Sequence, residues 1–191
     1  MRELQDSMNS KVNEDWRNAG NEWYRAIWME AAEMLDHYGW KWWKHQQPDL
    51  EQVRLELVDI LHFAMSDYLL QDDDNDKVAV RILEEMASPG TIEDIRQAIE
   101  SMAQTTIAER SMHFSGFANI MQLIEMDFDQ LYRIYVGKNV LNFFRQDHGY
   151  KDGSYIKVWQ DREDNEHLAE LLGSLDSDSY GFKDQVYQGL Q

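Results

Sequence analysis

Apolar positions along the chain recur at three- and four-residue intervals over most of its length, and Gly and Pro fall at the breaks between such stretches. The pattern predicts an all-α fold. A first helix is expected over residues 2–12, and a long one from Asn21 to Tyr38, ended by Gly39. After the aromatic block WKWWK and the turn HQQPD, Asp49 is placed to cap a helix reaching Leu70, with Gln52 completing a capping box. The acidic stretch DDDND reads as a loop. A short helix then runs to Ala87 and stops at SPG, and Thr91 is placed to cap the next, which reaches Met102 or beyond. A further helical region spans 104–126. From Asp129 to Asp147 the residues Leu131, Ile134, Tyr135, Leu141 and Phe144 recur at helical spacing, and His148-Gly149 supplies the stop. Beyond it, GYKDGSYIKVW reads as a turn and an extended piece, DREDNEHLAELL as a short helix, and the Ser/Asp/Gly-rich segment from Gly173 as loosely ordered. The organisation expected is one all-α domain over 1–172 with a bundle-like core, in which 72–128 form a mobile or inserted helical lobe, followed by an acidic tail over 173–191.

Composition narrows the partners. A net charge of -18 argues against a nucleic-acid polymer or an anionic membrane surface, since either requires a cationic patch. A small anionic substrate stays open if local cations or metals offset the field. With no cysteine, disulfides and thiolate zinc sites are excluded, and a hard, oxygen-loving ion such as Mg²⁺ or Mn²⁺ is the natural occupant of any metal site. The chain has no run of 18 apolar residues and no signal-peptide pattern, so a cytoplasmic location is expected.

Two acidic pairs, Glu30/Glu33 and Glu56/Asp59, interrupt stretches that otherwise read as apolar helix. Their i, i+3 spacing sets the carboxylates of a pair about 60° apart on one helix face. With 36 Asp and Glu in 191 residues, chance produces about seven such pairs, so spacing alone says little. Context says more. The run VRLELVDILHFAM is apolar nearly all round, which places this helix at the centre of the fold and leaves Glu56 and Asp59 no easy route to water. Desolvated carboxylates persist when they coordinate a metal or join a hydrogen-bonded network, and at this point the two readings are evenly matched.

A basic constellation lies further along the chain, over residues 138–157. Lys138, Asn142 and Arg145 follow i, i+4, i+7 spacing and are expected on one helix face, opposite the apolar stripe. Lys151 and Lys157 concentrate further positive charge nearby. Guanidinium forks and ammonium point charges suit phosphate oxygens, although a solvated polar face is the plainer reading. A polyphosphate bridged by Mg²⁺ between carboxylates on one side and Lys/Arg on the other satisfies both halves.

The runs EAAEMLDHYGWKWWK, VRLELVDILHF and YVGKNVLNFFRQDHGYKDGSYIKVWQDREDN, together with LQDSMN near the start, closely resemble the dimeric, all-α dUTPases and their phage dCTPase/dUTPase relatives, within the all-α NTP pyrophosphatase superfamily. The resemblance covers the first 70 residues and roughly 130–168. It implies that Glu30, Glu33, Glu56 and Asp59 ligate Mg²⁺, with Glu30 or Glu33 also accepting the proton of the attacking water. It implies further that Lys138, Arg145, Tyr150 and Lys157 hold the phosphates and that Asn142 contacts the nucleotide near the sugar. Gln5 and Asn9 would read the uracil edge, Trp42 and His62 would form the base pocket, and Asn165 would close over it. Without the resemblance, Trp42 and His62 read as core and Gln5 and Asn9 as plain surface.

The activity implied is Mg²⁺-dependent hydrolysis of dUTP, and of dUDP, to dUMP by a homodimer, with Mn²⁺ as a substitute ion. A dCTPase or a broad dNTP pyrophosphatase shares the same metal site. A di-iron oxidoreductase is disfavoured because its paired Glu-x-x-His elements are represented here only by Asp59-x-x-His62. A non-catalytic helical binding protein, with structural carboxylates, is the remaining alternative.

Overall fold

A computed structural model of the chain describes residues 1–72, 74–177 and 179–191. It is all-α. The helices are α1 (Arg2–Val12), α2 (Trp23–Tyr38), α3 (Leu50–Gln71), α4 (Asn75–Met86), α5 (Ile95–Glu109), α6 (Phe114–Leu123), α7 (Phe128–Asp147), α8 (Asp164–Ser174) and α9 (Phe182–Gly189), with a 3₁₀ turn at Trp16–Asn18. A two-residue antiparallel ribbon, β1 (Val158–Trp159) and β2 (Arg162–Glu163), precedes α8.

The helix α3 is central because its apolar residues leave it no solvent face. Val53, Leu57, Val58, Ile60, Ala64 and Tyr68 are all buried, and α1, α2, α4 and α7 pack around it. Each such aliphatic side chain contributes about 2 kcal/mol through burial, so polar groups admitted to this helix sit at an energetic cost. On α7, Gly137 stands where a Cβ would meet the Leu172 side chain at 2.6 Å, and its absence lets α8 approach α7 closely beside Lys138. That approach brings Asp164 and Asn165 over the polar face of α7.

Caps explain most boundaries, and several differ from expectation. Asp49 accepts from the Gln52 backbone N–H at 3.2 Å, but its own N–H donates to the His37 carbonyl, so the box with Gln52 does not close. A reciprocal box forms instead between Asp127 and Gln130, starting α7 at Phe128. Helix α2 begins at Trp23 rather than Asn21. Thr91 is not a cap: Asp94 accepts from Gln97 N–H at 3.0 Å and opens α5. The region 104–126 is not one helix, because α5 runs on to Glu109 and Arg110 turns left-handed at φ 57. Helix α6 restarts at Phe114, whose N–H is held by Glu85 of α4 at 2.8 Å. Within the DDDND stretch, Asp74 caps α4, which begins at Asn75; Asp73 lies outside the described residues. The segment after Gly173 also departs from the loose tail expected: Phe182, Val186 and Leu190 are buried, and α9 rests on α7 and α8. Its Asp178 lies outside the described residues. Sparse apolar residues among Ser and Asp concealed a short helix that only tertiary contact stabilises.

Candidate active site

A cavity of about 930 Å³ opens between α1, α2, α3 and α7 and is closed at one end by the segment leading into α8. One wall is acidic. Glu30 and Glu33 project from α2 and Glu56 from α3, and one carboxylate oxygen of each lies within 4.8 Å of the others. Glu56 is 5% exposed. Burial, then the negative charges of Asp59, Glu56 and Glu33, push the Glu30 carboxyl up to about 8. Burial also raises Glu56, against the opposing pull of Lys138. His37, on the last turn of α2, brings Nε2 to 3.5 Å from Glu56. Three clustered oxygen donors with no Lys or Arg ion-paired to them among the described residues fit a hard divalent cation, which would displace the proton that burial and mutual repulsion hold on Glu30.

The fourth expected ligand stands slightly apart. Asp59 Oδ2 pairs with Lys138 Nζ at 2.6 Å, and Lys138 is 1% exposed. The polar face of α7 is therefore not solvated, as the spacing suggested, but turned inward and charge-paired. Lys138 also donates to Asn165 Oδ1 at 3.0 Å. Two turns on, Arg145 gives Nε and Nη2 to the two oxygens of Asp164, both at 2.8 Å, while Tyr155 donates to the same carboxylate at 2.9 Å. Burial acts to raise the Asp164 carboxyl, but the Arg145 fork outweighs it and the net shift is downward. The remaining Arg145 nitrogen reaches Asn142 Oδ1 at 3.3 Å. Lys157 pairs with Glu163 at 3.3 Å near the mouth. Tyr150 lines the same wall, half-exposed.

At the α1 end of the cavity lies a buried polar network. Gln5 and Asn9 meet Ser66 of α3, and Gln5 Oε1 sits 2.6 Å from His62 Nδ1. The His62 ring stacks on Tyr135 at 4.3 Å between centroids. Burial pushes His62 down to about 4, so its ring is neutral at ordinary pH, and its Nε2 has no partner among the described residues. Far from being surface, Gln5 and Asn9 are buried by α3.

The fold thus gathers Gln5, Asn9, Glu30, Glu33, Glu56, Asp59, His62, Lys138, Asn142, Arg145, Tyr150, Lys157 and Asn165 around one cavity. It does not bring Trp42 there: Trp42 is 90% exposed and touches Trp43 edge-on. Its aromatic wall comes instead from Trp16, Trp23 and Phe63, with Trp23 6.1 Å from Trp16 and 6.2 Å from Phe63. Sequence reasoning missed these, as it missed Ser66, His37 and Asp164. Only Asp164 carried a usable signal, the adjacent carboxyl in the REDN string beside Asn165.

Over residues 1–150, from α1 to just past α7, the chain matches the family model described as dUTPase. The matched stretch holds the acidic wall, Lys138 and Arg145 but ends before Lys157, Asp164 and Asn165. No curated protein matches the chain.

Proposed function

The chain belongs to the dUTPase family, and from that premise we propose that its cavity hydrolyses dUTP, and also dUDP, to dUMP in a Mg²⁺-dependent reaction. The observation that carries this reading is the meeting of two unlike walls in one cavity: an acidic cluster short of positive charge and, opposite it, Lys138, Arg145 and Lys157. A triphosphate brings about four negative charges and needs both.

Glu30, Glu33 and Glu56, with Asp59 beside them, are the residues that would hold the cation; Mn²⁺ suits the same oxygens. When bound, the ion supplies charge neutralisation and orientation of the phosphate chain. Lys138, Arg145, Tyr150 and Lys157 grip phosphate oxygens, and Asn142 lies towards the sugar. The Glu30/Glu33 pair takes the proton of the attacking water. The water oxygen then bonds to the α-phosphorus as the bridging bond opposite breaks, releasing pyrophosphate from dUTP or phosphate from dUDP. Gln5, Asn9 and His62 face the base, with Asn165 closing over it. The lobe over 72–128 is proposed to move with this closure, Trp42 to approach the base then, and the working form to be a cytoplasmic homodimer. Among the described residues no helix is long and apolar enough to cross a membrane.

A panel of dUTP, dUDP, dCTP, dTTP and UTP, with product analysis in Mg²⁺ and in EDTA, tests the proposal. The expected result is dUMP with pyrophosphate from dUTP, abolished by EDTA. Faster turnover of dCTP would make this a dCTPase, and equal turnover of all dNTPs a broad pyrophosphatase. Release from no nucleotide would leave only a binding protein.

A further inference from the structure

Ser66 lies one turn after His62 on α3 and is fully buried. Its hydroxyl has three neighbours. It donates to the His62 carbonyl at 2.8 Å, and it faces the carboxamides of Gln5 at 3.1 Å and Asn9 at 2.9 Å. A carbonyl oxygen can only accept, so the single hydroxyl proton is committed and Oγ offers lone pairs alone to the two amides. Both must therefore present their NH₂ groups to it.

The alternatives fail on the same contacts. Gln5 Nε2 also donates to Asn9 Oδ1 at 3.0 Å. Turning Gln5 alone sets oxygen against oxygen there, and turning Asn9 alone sets NH₂ against NH₂. Turning both aims two amide oxygens at one hydroxyl, whose lone proton serves at most one of them. Only the first arrangement serves every contact of Ser66; its one cost is at Tyr135, whose single hydroxyl proton faces both the Met1 carbonyl at 3.0 Å and Gln5 Oε1 at 3.1 Å, against two unserved contacts at Ser66 when both amides turn.

Its consequence reaches the cavity. With the Gln5 nitrogen on Ser66, the Gln5 oxygen faces His62 Nδ1 at 2.6 Å and Tyr135 OH at 3.1 Å. Nδ1 must then carry the hydrogen, which leaves Nε2 of the neutral ring bare, and that atom, on a residue that lines the cavity, is buried without a partner among the described residues. A buried, unpartnered acceptor calls for a ligand N–H.

We propose that Ser66 is the positioning residue that sets the hydrogen-bond polarity of the base pocket, holding His62 Nε2 as the acceptor for an imide N–H and so favouring uracil over cytosine. This rests on the nucleotide reading above. Uracil carries a hydrogen on its ring N3, whereas cytosine turns a bare nitrogen to the same place and would set lone pair against lone pair. Thymine shares the imide, so this device does not exclude it.

The test measures kcat/KM for dUTP and dCTP, and Kd for dUMP and dCMP, on the full chain and on Ser66→Ala, with a long-range ¹H–¹⁵N spectrum of the wild-type histidines. The wild type is expected to favour uracil by roughly 100-fold or more. Ser66→Ala, which frees both amides to turn together, should shrink that ratio at least about tenfold. The ring stacked on Tyr135 should show the Nδ1–H tautomer, a readout that needs no variant to fold. An unchanged ratio in folded Ser66→Ala, a wild-type preference for cytosine, or an Nε2–H tautomer would each overturn the proposal. If no nucleotide is hydrolysed but the monophosphates bind with the expected ratio, the catalytic reading falls and this one stands; if neither monophosphate binds, both fall.

Discussion

The two walls of the cavity handle charge in opposite ways. On the basic wall each cation already has an anion: Lys138 holds Asp59, Arg145 forks onto Asp164, and Lys157 meets Glu163. On the acidic wall Glu30, Glu33 and Glu56 crowd within 4.8 Å, and the nearest basic group is the His37 ring beside Glu56. Paired cations are held in place and can meet phosphate oxygens without first being ordered. The carboxylates, joined by a Glu30–Glu56 hydrogen bond and the His37 ring beside Glu56, are held in place against burial and mutual repulsion, which a cation from outside would relieve. On the proposed reading the basic wall positions the phosphates and the acidic wall binds the cation.

The sharpest way to break this comparison is to remove one acidic oxygen. Glu56→Gln should lower the rate of pyrophosphate release at least about 100-fold, whereas Glu51→Gln, exposed at the start of the same helix, should leave it within about twofold; equal losses would mean that the acidic wall is misassigned. Next comes Asp164→Asn, which strands the buried guanidinium of Arg145. Urea unfolding should show a loss of about 3 kcal/mol, and KM for the triphosphate should rise; retained stability would show that the fork does not hold the basic wall.

The third prediction uses pH. The Glu30 carboxyl is raised from 4.5 to about 8 in the folded chain, so between those values the folded state binds more protons than the unfolded one, and stability falls as pH rises through that window. In EDTA the melting temperature should therefore decline from pH 6.5 to pH 8, above the range in which the lowered His62 acts in the opposite sense, and Mg²⁺ should raise it more at pH 8 than at pH 6.5, since the cation displaces that proton. A Mg²⁺ increment independent of pH would contradict the link. The smallest effect belongs to Lys157→Met. Its pair with Glu163 is solvent-exposed, so unfolding free energy should stay within about 0.5 kcal/mol, while KM rises modestly; a large destabilisation would place Lys157 with the buried cations instead.

Much of this was legible in the sequence, for identifiable reasons. Helical periodicity and breakers located α1, α2, α3 and α7, because an amphipathic or wholly apolar helix writes its burial into three- and four-residue spacing. The i, i+3 carboxylates on α2 and α3 stood out because acid residues on a central helix contradict their surroundings. Caps were less readable: Asp94 rather than Thr91 opens α5, since several side chains near a helix start can serve and backbone geometry selects among them. Helix α9 was hidden because eight residues gain their order from α7 and α8 rather than from their own propensity.

By itself, then, the order of residues determined the helical class and which acids and bases were candidates, since those follow from local spacing and side-chain chemistry. Only the tertiary structure decided how they are used. Lys138 is an inward cation clasped by Asp59, Gln5 and Asn9 are buried against Ser66, Trp42 is left outside while Trp23 lines the wall, and Asp164 becomes the anchor of Arg145. Those pairings join residues 19 to 79 positions apart (Arg145 to Asp164, Asp59 to Lys138). No local pattern encodes a partner at that distance, because the contact exists only once helix packing has closed the chain upon itself.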